Sequence, residues 1–124
     1  MENFDVEFRT DHVHVELAPE YEITAENQDE FWRRIKLFCD EHGSRRVLVE
    51  GYAPKGERKT AEIIDHGMRT ATVPNLWLAF SLVDFTPSDR SELFEAIAAT
   101  CGVRVRFFSD REIALRWLRS NAPA

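Results

Sequence analysis

Cysteine is scarce in this 124-residue chain, and the two present, Cys39 and Cys101, lack C-x-x-C spacing. Neither a redox pair nor a zinc knuckle is indicated, and both are expected as free, partly buried thiols. Long apolar runs are also missing. The longest, Leu76 to Val83 broken by Ser81, falls far short of the roughly 20 residues that span a bilayer, so no membrane span is expected. Positive charge is the minority, 16 Lys and Arg against 22 Asp and Glu. The net charge of -6 disfavours general nucleic-acid binding, although a local basic patch is compatible with it. The opening Met1-Glu2-Asn3-Phe4-Asp5 has neither the basic start nor the apolar stretch of a secretory signal, and a cytoplasmic location is the default expectation.

What is present is a normal soluble composition, 44% hydrophobic and 31% charged, in a length suited to one domain over residues 1–124. Phe4 to Arg9 alternates apolar and charged residues. His12 to Leu17 alternates again after Thr10-Asp11, which predicts a hairpin of two half-buried strands. Thr24 as cap and Phe31, Ile35 and Phe38 at helical spacing predict a first helix over Ala25 to His42, stopped by Gly43. Val47-Leu48-Val49 reads as a short strand. Thr60 then caps a second helix carrying Ile63, Ile64 and Met68, which Gly67 weakens near its end. Leu76 to Val83 is apolar on both faces, as a central parallel strand is. Pro87-Ser88 starts a third helix with Leu93, Phe94, Ile97 and Ala98 inward. Val103, Val105 and Phe107 form a last strand, and Ser109 caps a fourth helix whose apolar face is Ile113, Leu115, Trp117 and Leu118.

The expected fold is therefore α/β, an N-terminal β-hairpin followed by three right-handed βα crossovers into a mostly parallel five-stranded sheet with four helices. His12, His14 and Glu16 share one strand face, as do Arg104 and Arg106. Helices are accordingly expected mainly on the other face, leaving this one partly open and either salt-bridged or paired with a second copy. Trp77, Arg104, Arg106, His12 and His14 are the candidate dimer interface, an apolar centre with a polar rim.

Three segments carry a family resemblance. They are Val13-His14-Val15-Glu16-Leu17 with Tyr21-Glu22-Ile23-Thr24, then Pro87-Ser88 with Leu93-Phe94 and Cys101-Gly102-Val103, and finally Val105 to Leu118 with its Ala114-Leu115-Arg116-Trp117-Leu118 helix. In these the sequence resembles the SpoIIAA-like domains, the STAS and Sec14-type group that includes anti-sigma-factor antagonists. The resemblance implies that fold and a non-enzymatic regulatory module that docks a protein partner on the surface from Tyr52 to Met68. Antagonist members carry a phosphorylated serine in an Asp-Ser-Ser-Gly-like turn. Here Asp65-His66-Gly67-Met68 stands nearest, without serine, so a switch would have to be ligand occupancy or partner concentration.

The stretch GYAPKGERKT, Gly51 to Thr60, invites a nucleotide reading, but Glu57 and Arg58 stand where the Lys and Thr of G-x-x-x-x-G-K-[ST] belong. A lysine displaced by two residues does not serve the same loop. What survives is a basic loop leaving the carboxyl end of a strand beside a helix N-terminus, the place where open parallel sheets bind ligands. The candidate ligand or partner surface is Tyr52, Lys55, Arg58, Lys59, His66 and Asp84. The alternative function is thus a carrier or sensor of a small anionic or amphipathic ligand held between the Lys55–Lys59 loop and apolar residues such as Ile63, Ile64 and Trp77. A carrier needs a cavity of at least ~300 Å³, whereas a docking module needs only a surface. His12, His14 and Glu16 are too awkwardly spaced along one strand, roughly 7 Å per two residues, for all three to bind a metal. No metal, cofactor or catalytic residue is assigned.

Overall fold

Alternating side chains build a hairpin at one edge of the sheet. In the computed structural model, which describes residues 3–54 and 58–123, β1 (Phe4–Arg9) pairs antiparallel with β2 (His12–Leu17), with Glu7 opposite His14 and Arg9 opposite His12. Three parallel strands follow, β3 (Arg46–Tyr52), β4 (Trp77–Val83) and β5 (Arg104–Phe108), in the order β1-β2-β3-β4-β5. Helices α1 (Gln28–His42), α2 (Thr60–Arg69) and α3 (Asp89–Thr100) join them, and α4 (Arg111–Asn121) ends the chain. A single 3-10 turn, Thr70–Thr72, follows α2. The α/β class and the hairpin-plus-parallel layout are those expected from the sequence.

Sequential order decides where the helices lie. When each parallel strand is added beside its predecessor by a crossover of one hand, the crossover helices fall on one face of the sheet. The main core is accordingly one-sided: Val13, Val15, Val47, Val49, Leu78, Phe80 and Val105 meet Phe31, Trp32, Ile35 and Cys39 of α1 and Ala98 of α3. After β5 no further strand follows, so α4 folds back over the other face. There Ala114, Leu115 and Leu118 cover Leu48 and Ala79 in a second, smaller core.

That second core corrects the expectation of a partly open face. His12 and His14 are only 5% and 2% exposed, and each has a partner in its own chain. His12 Nδ1 lies 2.8 Å from Asp11, and His14 Nε2 lies 2.5 Å from Glu50 on the neighbouring strand. Neither is available to a second copy. Trp77 is half-buried, 5.7 Å from Trp117 of α4, with the Arg104 guanidinium 4.9 Å above its ring. Of the five candidate interface residues only Arg104 and Arg106 are exposed. The salt-bridged part of the expectation stands, for Arg119 bonds Asp11 at 2.8 Å and buried Arg46 lies 3.7 Å from the same carboxylate.

Smaller corrections concern boundaries and faces. The first helix begins at Gln28, because Asn27 spends its side chain on the Thr24 amide and the Glu22 carbonyl, a turn that holds 22–27 outside the helix. Lys59 precedes α2 as its cap, where Thr60 was expected, and Asp110 caps α4 in place of Ser109, accepting from the amides of Glu112 and Ile113. Pro87-Ser88 does precede α3, with Ser88 as its cap. Ile113 is 50% exposed and Met68 54%, since the buried stripes run through Ala114, Leu115 and Leu118 in α4 and through Ile63, His66 and Gly67 in α2. The thiols divide: Cys39 is buried, its pKa pushed up to about 11 chiefly by that burial, and Cys101 is exposed at the end of α3.

Gly67 has a packing reason beyond helix propensity. A Cβ there would sit 2.9 Å from Ile97 Cγ2 and 3.0 Å from Ile97 Cβ, so the glycine is what lets α2 and α3 approach. Gly67→Ala gains up to about 1 kcal/mol of helix propensity and suffers about 1–3 kcal/mol of overpacking, a net loss expected near 1 kcal/mol. In urea unfolding the loss should shrink in an Ile97→Ala background; an equal loss in both backgrounds would discard the contact as its cause.

Candidate functional site

The carboxyl ends of β2, β3 and β4 open into a cavity of about 840 Å³. Its walls come from the segment after β2 (Leu17 to Ile23), from Trp32 of α1, from Tyr52 to Pro54, from α2 and from Phe94 of α3. The location follows from topology, since crossover loops leave the strands' carboxyl ends and the helices that follow begin there. Phe80, Phe107 and Phe85 form a stack, with centroids 4.8 Å and 5.4 Å apart and planes within 16°. Phe94 stands edge-on to two of them. Asp84, at the lip, holds φ at 64°, a left-handed conformation that aspartate tolerates better than most residues.

Four of the six sequence candidates, Tyr52, Arg58, His66 and Asp84, line this one cavity. Lys59 does not line it; it is exposed, its amide 3.4 Å from the Glu62 carboxylate at the start of α2. Lys55 lies outside the described residues. Of the apolar partners proposed for a ligand, Ile63 lines the cavity, Ile64 is not in its wall, and Trp77 is on the opposite face of the sheet.

The polar side of the cavity is a relay of side chains. Arg58 Nη1 donates to the Ile23 carbonyl and to His66 Nε2, both at 2.9 Å. A guanidinium has only donors, so His66 Nε2 must be the acceptor and the ring proton must be on Nδ1. That proton goes to Gln28 Oε1 at 2.8 Å, and the Gln28 amide in turn donates to Asp65 Oδ2 at 2.7 Å. Every link has a defined direction. Burial first, and the Arg58 charge second, hold the His66 pKa below its ordinary value, which keeps the ring in the neutral form the relay requires. The Gln28 hydrogen bond, more than the Arg69 charge, holds Asp65 below the usual carboxylate range. Arg90 Nε donates to the Arg58 carbonyl at 3.2 Å and fixes its backbone as well.

Two donor groups are left over. Arg58 Nε and Nη2 have no hydrogen-bond partner among the described residues, and neither has the buried indole Nε1 of Trp32. The Trp32 donor is buried and carries a cost of roughly 1–3 kcal/mol, whereas the free Arg58 edge is not among the buried unpartnered atoms and is accessible to an acceptor. Gln28, Trp32 and the four phenylalanines are the site residues that the sequence reading missed. Gln28 and Trp32 stand four apart and so share one face of α1, a polar residue on a buried stripe, which is the one signal that pointed to them. The phenylalanines come from β4, the loop after it, α3 and β5, and only the fold gathers them.

On the histidine face His12 Nε2 and Arg46 Nε are also buried without a hydrogen-bond partner among the described residues, but neither residue lines the cavity. Among the described residues no three His, Cys, Asp or Glu side chains are grouped to hold a metal ion, and no helix is long and apolar enough to cross a membrane. The sequence matches no family model, and no curated protein matches it.

Proposed function

We propose that this chain is a carrier or sensor of a small amphipathic molecule bound at the carboxyl ends of its parallel strands. The observation that carries the reading is the cavity itself. At about 840 Å³ it lies within the ~300–1,000 Å³ typical of small-molecule sites, and it sets an aromatic and aliphatic wall beside a polar, charged one. The polar groups present are engaged with one another in a way that positions a cation. They hold no nucleophile beside a base, so the reading involves binding and no reaction.

A second reading, the SpoIIAA-like docking module, has one observation in its favour. Tyr52 and Met68, at the two ends of the surface named for it, are 53% and 54% exposed. The two readings are compatible, because the loop and helix that would dock a partner also wall the cavity. Ligand occupancy would then be the signal a partner reads.

Native mass spectrometry of untagged protein from its own host tests the proposal. The expected spectrum shows the chain with an added small mass that is lost on unfolding. Ala53, half-buried in the cavity wall, can be enlarged at its mouth, and Ala53→Trp is expected to abolish the added mass while the chain stays folded. A bare chain that also fails to take up 1-anilinonaphthalene-8-sulfonate would sink the reading. The same spectrum reads self-association, for which Arg104, Arg106 and the outer part of Trp77 are what α4 leaves available.

A further inference from the structure

This inference rests on the cavity reading just given. We infer that the occupant is a monocarboxylic acid with a flat, aromatic body, its carboxylate held on the Nε–Nη2 edge of Arg58.

The argument starts from how Arg58 is held. Both hydrogens of Nη1 are spent, on Ile23 and on His66, so the chain grips the guanidinium by one end. The opposite edge presents Nε–H and one Nη2–H in parallel, with no partner among the described residues. Two parallel N–H groups at that spacing match the two oxygens of a carboxylate. The relay through His66, Gln28 and Asp65 fixes the edge before any ligand arrives, which lowers the ordering cost of binding. Trp32 stands one helical turn from Gln28 on the same face of α1 and puts its ring, not its buried indole N–H, in the cavity wall.

The charge around the cavity argues for a single negative charge on the ligand. Glu20, Glu22 and Asp84 line it against Arg58 and Arg90, so a dianionic phosphate meets three carboxylates, while a carboxylate seated on one fork meets its own counter-charge first. The apolar side argues for flatness. The Phe80, Phe107 and Phe85 stack with Phe94 set edge-on is a wall of aligned ring faces and edges, which favours offset or edge contact with another ring.

The experiment titrates the full chain by calorimetry with 2-naphthylacetic acid, its primary amide and 2-naphthyl phosphate at neutral pH. The acid is expected to bind at least ten-fold more tightly than the amide, and more tightly than the phosphate. Arg58→Gln is expected to erase the acid-over-amide preference. His66→Phe, which removes the acceptor that positions Arg58, should reduce the same ratio. Should the glutamine variant not fold, Arg58→Lys carries the test, and it should keep only a small part of the preference because an ammonium lacks the fork. Equal binding of acid and amide, or tighter binding of the phosphate, overturns the carboxylate assignment and leaves the cavity reading in place. Binding of none of the three overturns the cavity reading and this inference with it.

Discussion

Leu118→Ala is expected to cost about 2–5 kcal/mol of folding stability, a large part of the roughly 5–15 kcal/mol that a domain of this size has. Leu118 is fully buried in the smaller core, where it, Ala114 and Leu115 are the buried side chains that α4 lays on Leu48 and Ala79. Few neighbours on this face can close over the gap, so the cavity term adds to the lost transfer energy. The ends of α4 are tied separately. Asp110 caps its start, and Arg119 with Asp11 and Arg46 with the Ala122 carbonyl hold its end. The helix should therefore stay docked in the variant, and the loss should appear as a lower urea midpoint with an unchanged slope. Because the cavity lies across the sheet, the probe affinity expected under the proposed function, measured well below that midpoint, should equal the parent's. A stability loss under about 1 kcal/mol, or weakened probe binding in the folded variant, would refute this division of the molecule into two faces.

Why the sequence showed the architecture and hid the site has a physical explanation in particular residues. Alternation in Phe4–Arg9 and His12–Leu17, and the stop at Gly43, are local signals, and local signals survive in a one-dimensional reading. The basic loop was legible for the same reason, since a strand's end followed by a helix N-terminus places Arg58 without knowledge of the rest. Orientation was not legible. Trp77 and Trp32 are equally apolar in the sequence, yet parity puts Trp77 on the α4 face, while Trp32 of α1 enters the cavity on the other. The histidine face misled for a related reason. A strand with His12, His14 and Glu16 on one side looks solvent-facing, and only the return of α4, with buried Arg46 and half-buried Asp11 and Glu50 as partners, lets the two histidines be covered. Gln28 shows the limit most plainly. Its bonds to Asp65 and His66 join residues 37 and 38 positions apart, and no spacing rule connects them.

Acid should destabilise the fold in two stages, the first set by His14. Buried between β1, β3 and α4, this ring faces Glu7 and Arg9, His12, Glu50 and Arg111. Burial first, then the charges of Arg9 and His12, push its pKa down from 6.5 to about 4. A histidine depressed in the folded state binds its proton more readily when unfolded. Its contribution is therefore complete above pH 6.5 and lost as pH falls toward 4, about 3 kcal/mol in all. His66 is depressed too, by burial and by Arg58, and acts with the same sign below its ordinary value. Glu50 opposes them in part. Burial raises its pKa, so the folded chain takes up that proton first and recovers a little stability at the acid end. The second stage belongs to Asp11, which the Arg119 hydrogen bond holds at about 2; its share is present above pH 3.8 and lost between there and 2. Solvent screening of this partly exposed pair limits it to about 1 kcal/mol. Urea midpoints taken from pH 7 to pH 3 should thus fall steeply through the first window and more gently below it. His14→Gln keeps an amide donor for Glu50 and cannot titrate, so its midpoints should fall less between pH 6.5 and 4 than the parent's. Parallel curves for the two proteins would assign the acid sensitivity elsewhere, with His66 and its relay to Arg58 next in line.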